Sequence, residues 1–397
     1  MKEKVVLAFS GGLDTSYCVK YLSEDLGYEV YTILVNTGGF DNKEIEEIEN
    51  RAKDLGVGQH KTIDATSAYY EKVIKHLIFG NVLKNNTYPL SVSAERVLQA
   101  LEIARYAKLQ KADYIAHGST GAGNDQVRFD LIFNIMVPGM EILTPIRDQK
   151  LTRKQEVDYL AKKGVKQDWQ KSKYSINKGL WGTSVGGEQT LTSDQTLPDE
   201  AFPTALSKND TKKIKLHFKQ GEICGIDDKM YSPVAAIQQL NKMGGEYAIG
   251  RDVHVGDTII GIKGRVGFEA PAPLIIIKAH HTLEKHVLTK WQQHWKEQLA
   301  NWYGMMLHEG QYLDPVMRDI EKFLENTQKN VSGTVEVLLA PYRFEIIGIR
   351  SNHDLMNSKF GSYGEMNKGW TGEDVRGFTR IFANQTKMYY QVNPDSK

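Results

Sequence analysis

The sequence predicts an α/β protein, with a parallel-sheet domain over residues 1–168, an α+β domain over 169–369 and a C-terminal helical arm over 370–397. Three observations predict it. Over the first 165 residues, short apolar runs alternate with amphipathic stretches, the pattern of a parallel sheet covered by helices on both faces. Past about residue 168, β-rich runs and helical runs follow one another without that alternation. Beyond Trp370, the residues Val375, Phe378, Ile381 and Phe382 fall on one side of a helix with a polar terminus.

The elements follow in order. Residues 5–9 form a continuous apolar run, a buried strand. It leads into Ser10-Gly11-Gly12-Leu13-Asp14-Thr15-Ser16, a tight turn, and then a helix with Cys18, Leu22 and Leu26 spaced four apart. A strand over 29–35 ends in the loop signal Asn36-Thr37-Gly38-Gly39. Ile45, Ile48, Ala52 and Leu55 mark a helical face stopping near Gly56. A strand over 60–64, a helix over 66–83 and a helix carrying Val97, Leu101, Ala104 and Lys108 come next. A strand over 112–117 enters the glycine-rich run 118–124, and Thr152 with Gln155 forms a capping box for a helix ending at Gly164. In the second domain, 182–196 reads as a loop, 213–218, 253–263, 274–279, 334–340 and 344–349 as strands, and 283–303 and 314–326 as helices. Trp291, Trp295, Trp302 and Tyr303 recur at helical spacing and are expected in core or subunit contact.

Composition excludes several classes. Fifty basic against forty-nine acidic residues leave a net charge of +1, which gives a nucleic-acid partner no global electrostatic support. Two cysteines, Cys18 and Cys224, make no disulfide scaffold and suit a reducing compartment. Met-Lys-Glu-Lys at the start lacks the layout of a signal peptide, and no apolar run is long enough for a bilayer. A soluble, cytoplasmic protein with no membrane partner is expected. No Cys/His spacing matches a zinc site, and metal ligands stay unassigned.

The chemistry is concentrated in two segments. In 10–16, Gly11 and Gly12 allow close approach of backbone to a ligand, and amides at the helix start form an anion site strengthened by the helix dipole. Ser10, Thr15 and Ser16 add hydroxyl donors, so the loop reads as a phosphate cradle. No lysine follows the glycines, and Asp14 stands where a cation would be expected, which argues against γ-phosphoryl transfer. In 117–129, Thr120, Asn124, Asp125 and Arg128 accompany three glycines, and Asn124 and Arg128 share a helical face. Asn suits a ureido or carboxylate group, Asp an ammonium and Arg a carboxylate. Both segments lie at strand carboxyl ends, so they can converge on one ligand.

The loop at 10–16 resembles the pyrophosphate loop of the N-type ATP pyrophosphatases, whose fold is adenine nucleotide alpha hydrolase-like. Together with Tyr-Pro-Leu at 88–90, His-Gly-Ser-Thr-Gly-Ala-Gly-Asn-Asp-Gln-Val-Arg-Phe at 117–129 and the 174–184 segment, it resembles the argininosuccinate synthase family, in order and spacing, from residue 1 to about 190. Tyr247-Ala-Ile-Gly-Arg251 and Gly261-Ile-Lys-Gly-Arg265 echo it further on. The resemblance implies ATP with Mg²⁺, the substrates citrulline and aspartate, a citrullyl-AMP intermediate, release of AMP and pyrophosphate, and a homotetramer. It implies ATP contacts from Ala8, Phe9, Ser10, Gly11, Gly12, Leu13, Asp14, Thr15, Ser16, Val35 and Gly118. It assigns aspartate to Thr120, Asn124 and Asp125, and citrulline to Tyr88, Ser93, Asn124, Arg128, Ser175 and Ser184. Ser10, Asp14, Thr15 and Ser16 serve the departing pyrophosphate, and Arg96, on the helical face of Ser93, is a candidate for neutralising a carboxylate or phosphate.

Two positions depart from the family. Where it has a glutamate and, twelve residues later, a tyrosine, this chain has Gly256 and Phe268. Either the neighbouring Asp257 or Glu269 replaces the carboxylate, or the citrulline is acylated on its α-nitrogen and needs none. Ser91-Val-Ser-Ala-Glu-Arg96 departs too, where the family has a Gly-Thr-Ser run and a proline. Two rival functions remain: a tRNA-modifying enzyme of the same loop class, which wants a basic surface and reactive cysteines, and a nucleotide-binding regulator without turnover.

Overall fold

Val5, Val6 and Leu7 have no solvent exposure, because β1 (Lys4–Ala8) is the central strand of a parallel sheet. The computed structural model describes residues 2–167, 169, 173–357, 363–365 and 369–396. The expected boundary at 168 falls on a residue outside these. Two compact units result, Met1–Ser351 and Asn352–Lys397.

In the first unit, α1 (Leu13–Lys20) follows β1 and passes into a π turn, Tyr21–Asp25, which leaves Leu26 44% exposed instead of on the buried face. Then come β2 (Glu29–Asn36), α2 (Asn42–Asp54) and β3 (Gln59–Asp64). A helical run built of α3 (Thr66–Tyr69), a π turn at Tyr70–Ile74 and α4 (Lys75–Phe79) stops at Phe79, short of the expected 83. After it come α5 (Ser91–Leu109), β4 (Tyr114–Ala116), α6 (Asp125–Met136), β5 (Glu141–Leu143), α7 (Pro145–Asp148) and α8 (Arg153–Lys162). Thr152 and Gln155 make both bonds of the expected capping box. The five strands pair in parallel in the order β3-β2-β1-β4-β5. The chain moves outward from β1 to β3 and then returns to place β4 on the other side. That reversal sets the loops after β1 and β4 side by side.

Antiparallel structure follows. β6 (Ser175–Gly179) and β7 (Gly182–Gly186) form a hairpin, so the first residues of the expected 182–196 loop are strand. β8 (Lys212–Lys219), β9 (Glu222–Ile226) and β10 (Lys229–Met230) lead to α9 (Pro233–Glu246), which has no counterpart among the expected elements. The expected strand 253–263 is strand up to Asp257, in β11 (Arg251–Asp257), and then turns at 258–262 into β12 (Lys263–Glu269). The expected strand 274–279 lies inside α10 (Pro271–Val287). Proline at N1 starts that helix, and Ile275, Ile276 and Ile277 are all buried, so a short consecutive β-branched run hid the helical period. α11 (Lys290–His308), α12 (Pro315–Thr327), β13 (Gly333–Ala340) and β14 (Arg343–Arg350) complete the unit. One sheet runs β11-β12-β7-β6 and another β10-β9-β8-β13-β14. On α11, Tyr303 is fully buried, whereas Trp291, Trp295 and Trp302 are exposed within the chain, contrary to a core role. In the second unit, α13 (Gly372–Phe382) carries the expected apolar face and α14 (Asn384–Val392) follows.

The helical layer holds one fully buried ion pair. Lys296 Nζ lies 2.8 Å from Glu284 and donates to the Phe79 carbonyl at 2.7 Å, while Gln328 donates to the other Glu284 oxygen at 2.8 Å. Burial would push the Glu284 carboxyl up, but His280 and Lys296 hold it below the usual range. Removing one partner leaves the other charge uncompensated in a dry site. Lys296→Met is therefore expected to cost about 3–5 kcal/mol in unfolding free energy, read by urea denaturation, and a loss under 1 kcal/mol would contradict this account.

Candidate active site

Gly12 takes the N-cap position of α1 in an extended conformation, and no side chain caps the helix. The first-turn amides are thus left for a ligand. Thr15 and Ser16 hydroxyls donate back to the Gly12 carbonyl at 3.3 and 2.8 Å, which tightens the turn. Gly11 has φ +72°, a region side-chain-bearing residues avoid, and the Arg51 guanidinium binds its carbonyl from α2 behind. A Cβ on Gly118 would fall 3.3 Å from Thr15 Cγ2 and 3.4 Å from the loop backbone. Glycine there lets the loop after β4 lie directly on the loop after β1.

The second loop is pinned by His117. Its Nδ1 accepts from the Ser119 amide at 3.2 Å, so the ring proton sits on Nε2, 2.8 Å from Asp130. Arg147 holds the other Asp130 oxygen at 2.6 Å. Burial opposes ionisation of Asp130, but His117 and Arg147 outweigh it and keep its carboxyl below the usual range. Asn124 Oδ1 accepts from the Ile259 amide at 2.8 Å and so ties the loop to the β11–β12 corner.

At the start of α6, Asp125 is clamped by two guanidiniums, Arg96 from α5 at 2.9 Å and Arg128 at 2.8 Å. Arg96 also bonds Glu95 at 2.7 Å, Gln99 at 2.8 Å and Asn177 at 3.3 Å, and Thr37 donates to Glu95 at 2.9 Å. Burial would raise the Asp125 carboxyl, yet Arg96 and Arg128 hold it low. Arg96 stays charged because Asp125 and Glu95 overcome its desolvation. Glu95 is pushed up by burial, against the pull of Arg96 and Thr37.

These groups line one cavity of about 970 Å³. Of the residues expected from sequence, Ala8, Phe9, Ser10, Gly12, Leu13, Asp14, Thr15, Val35, Tyr88, Ser93, Arg96, Gly118, Thr120, Asn124, Asp125, Arg128, Ser175 and Ser184 all line it. Gly11 and Ser16 are buried behind the loop and brace it. Sequence reasoning missed Thr37, Glu95, His254 and His308, which also line the cavity. It missed the role of His117 as well, although that residue adjoins a glycine run. Gly256 lines the cavity, whereas Phe268 is buried with its ring 5.4 Å from that of Tyr88. Neither proposed substitute carboxylate is available. Glu269 lies outside the cavity, 2.9 Å from Arg251 and 2.7 Å from Thr204, and Asp257 is paired with Lys263 at 2.6 Å. Cys18 is fully buried and burial pushes its thiol far up, so it is no reactive thiolate.

A parallel sheet with an amide-lined loop at its switch point defines a nucleotide-binding α/β domain, here joined to a mixed domain that closes the cavity. The profile of the arginosuccinate synthase N-terminal HUP domain matches residues 4–166, and that of the arginosuccinate synthase C-terminal domain residues 174–389. The argininosuccinate synthase of Methanocaldococcus jannaschii is 34% identical over 98% of both chains. That of Sulfurisphaera tokodaii is 35% identical over 98% of this chain and 99% of its own, and that of Xanthomonas campestris pv. campestris 36% over 98% of both. The chain belongs to the argininosuccinate synthase family.

Behind the loop, Glu156 on α8 is buried, and burial together with the Asp14 carboxylate pushes its pKa up to about 8. The folded state therefore holds a proton that the unfolded chain releases near its ordinary value, so Glu156 erodes stability as pH rises through the interval between them. The unfolding midpoint of the native chain should fall more steeply between about pH 5 and 8 than that of Glu156→Gln. Parallel curves would show that Glu156 ionises normally.

Proposed function

We propose that the protein joins citrulline to aspartate at the expense of ATP, giving argininosuccinate, AMP and pyrophosphate through citrullyl-AMP. The observation that carries this reading is the contact of Gly118 with Thr15, which sets an anion-binding loop against the loop bearing Thr120, Asn124 and Asp125 in one cavity. The ureido oxygen attacks the α-phosphorus, and the bond to pyrophosphate breaks. The aspartate amine then attacks the ureido carbon, and AMP leaves. Ureido oxygen is a weak nucleophile, so rate must come from alignment and from stabilising the leaving diphosphate.

Ser10, Gly12, Leu13, Asp14 and Thr15 contact the phosphates, and Ala8, Phe9, Val35 and Gly118 the rest of the nucleotide. Thr120, Asn124 and Asp125 orient aspartate. Tyr88, Ser93, Asn124, Arg128, Ser175 and Ser184 orient citrulline. Arg96 acts by holding Asp125 and Glu95, rather than as a free cation. Among the described residues, no cluster of three or more His, Cys, Asp or Glu side chains can hold a metal. Mg²⁺ accompanying ATP would neutralise phosphate charge, and Asp14 is the carboxylate at the loop that could help to hold it.

The domain limits 1–168, 169–369 and 370–397, a cytoplasmic location and a homotetramer belong to the same proposal. No helix among the described residues is long and apolar enough to cross a membrane. The exposed Phe378, Ile381 and Phe382 of α13 and the exposed tryptophans of α11 support assembly. Light scattering of the full chain should give four times the mass of one chain, and a monomer would exclude assembly.

With ATP labelled in the α- and γ-phosphates, sustained formation of AMP and pyrophosphate is expected only when both amino acids are present. ADP and orthophosphate would overturn the reading. Arg128→Gln should lower kcat/KM by about 10²–10³, the scale for one lost charge-stabilising donor.

A further inference from the structure

The end of the cavity formed by Tyr88, Ser93 and Arg128 is closed by two histidines from distant parts of the chain. His254 stacks on Tyr88 with ring centres 5.1 Å apart, and His308 Nδ1 lies 3.3 Å from Ser93 Oγ and 3.4 Å from Arg128 Nη2. A guanidinium only donates, so His308 Nδ1 accepts and its ring proton sits on Nε2. Nε2 of His308 and Nδ1 of His254 are both buried without a hydrogen-bond partner. Burial and the neighbouring cations Arg128 and Lys84 push His308 down to about 3, and burial with Lys84 lowers His254. Both rings are neutral at physiological pH.

An α-ammonium group in this place would need a carboxylate. Five carboxylates line the cavity: Asp14, Glu44, Glu95, Asp125 and Asp257. Asp14 belongs to the phosphate loop. Glu44 caps α2 and lies 3.7 Å from Lys178. Glu95 and Asp125 are paired with Arg96 and Arg128, and Asp257 lies on the exposed face of β11, opposite His254 and Gly256, with its side chain 67% exposed. Nor is there room to supply a carboxylate from position 256, since a Cβ on Gly256 would fall 2.5 Å from His254 Nε2. A buried ammonium facing Arg128 and two neutral rings would be desolvated without compensation.

We propose that the amino-acid substrate is a citrulline acylated on its α-nitrogen, so that a neutral amide, not an ammonium, occupies this end of the cavity. The inference rests on the ligase reading above and refines its substrate. The acyl carbonyl offers the acceptor that His308 Nε2 lacks. The acyl group takes no part in either bond change, and it is retained on the product.

The test is steady-state kinetics of AMP formation with ATP, aspartate and citrulline, N-acetylcitrulline or N-succinylcitrulline. At least one acylated substrate is expected to exceed citrulline by tenfold or more in kcat/KM, with the acyl group retained in the product by mass spectrometry. Citrulline as good as or better than both acylated compounds would overturn this inference and leave the ligase reading standing. No AMP with any of the three would overturn the ligase reading itself. Replacing His254→Ala together with Gly256→Glu should move the preference at least tenfold toward citrulline. An unchanged preference in the folded double variant would refute the placement of the α-nitrogen.

Discussion

Asp125 sits between two guanidiniums that come from different helices, and this clamp fixes the charge of the whole amino-acid side of the cavity. Arg96 reaches it from α5 at 2.9 Å and Arg128 from α6 at 2.8 Å, so the carboxylate ties the two helices at their cavity ends. Arg96 extends the tie through Glu95 to Thr37 on the loop after β2, and through Asn177 to β6. The strongest polar contacts of the site are thus made among its own residues before any substrate enters. Such groups lose little freedom when a substrate binds, which is what alignment of a weak nucleophile demands. The clamp also consumes the negative charge it contains, since both guanidiniums pair with Asp125.

How far the sequence could be read depended on how local the signal was. The loop at 10–16, the run at 117–129 and the capping box at Thr152 are each written in fewer than fifteen consecutive residues, and the structure keeps all three. The neighbourhood of Tyr88 is different. His254 and His308 arrive from β11 and the end of α11, across more than 160 residues of chain, and neither sits in a glycine run or a spaced motif. Glu95 was legible only as one charge on an amphipathic helix, because its meaning lies in Arg96 beside it and Thr37 beyond it. At 274–279 the reading failed for another reason. Ile275, Ile276 and Ile277 are consecutive buried residues of a helix exposed only along a narrow stripe at Lys278 and Lys285, and such a β-branched run mimics a strand. Tryptophans on α11 failed in the opposite sense, since periodicity shows that a face is apolar and not what covers it.

Two carboxyl groups show how burial is used to set sign rather than strength. Asp14 stands at the start of α1, where a fixed negative charge would weaken the amides' pull on phosphate. Glu156 lies behind it, and if both were ionised the loop would carry two neighbouring negative charges. Burial keeps the Glu156 proton in place near neutral pH, so one unit of charge is removed without a counter-cation. The loop then needs no lysine. In the proposed reaction the first-turn amides and the dipole of α1 would attract the departing pyrophosphate, with Arg153 also on the cavity wall. The same device recurs at the far end, where burial keeps His254 and His308 neutral beside Arg128. In both places burial withholds ionisation, and the field along the cavity wall follows from where charge is left.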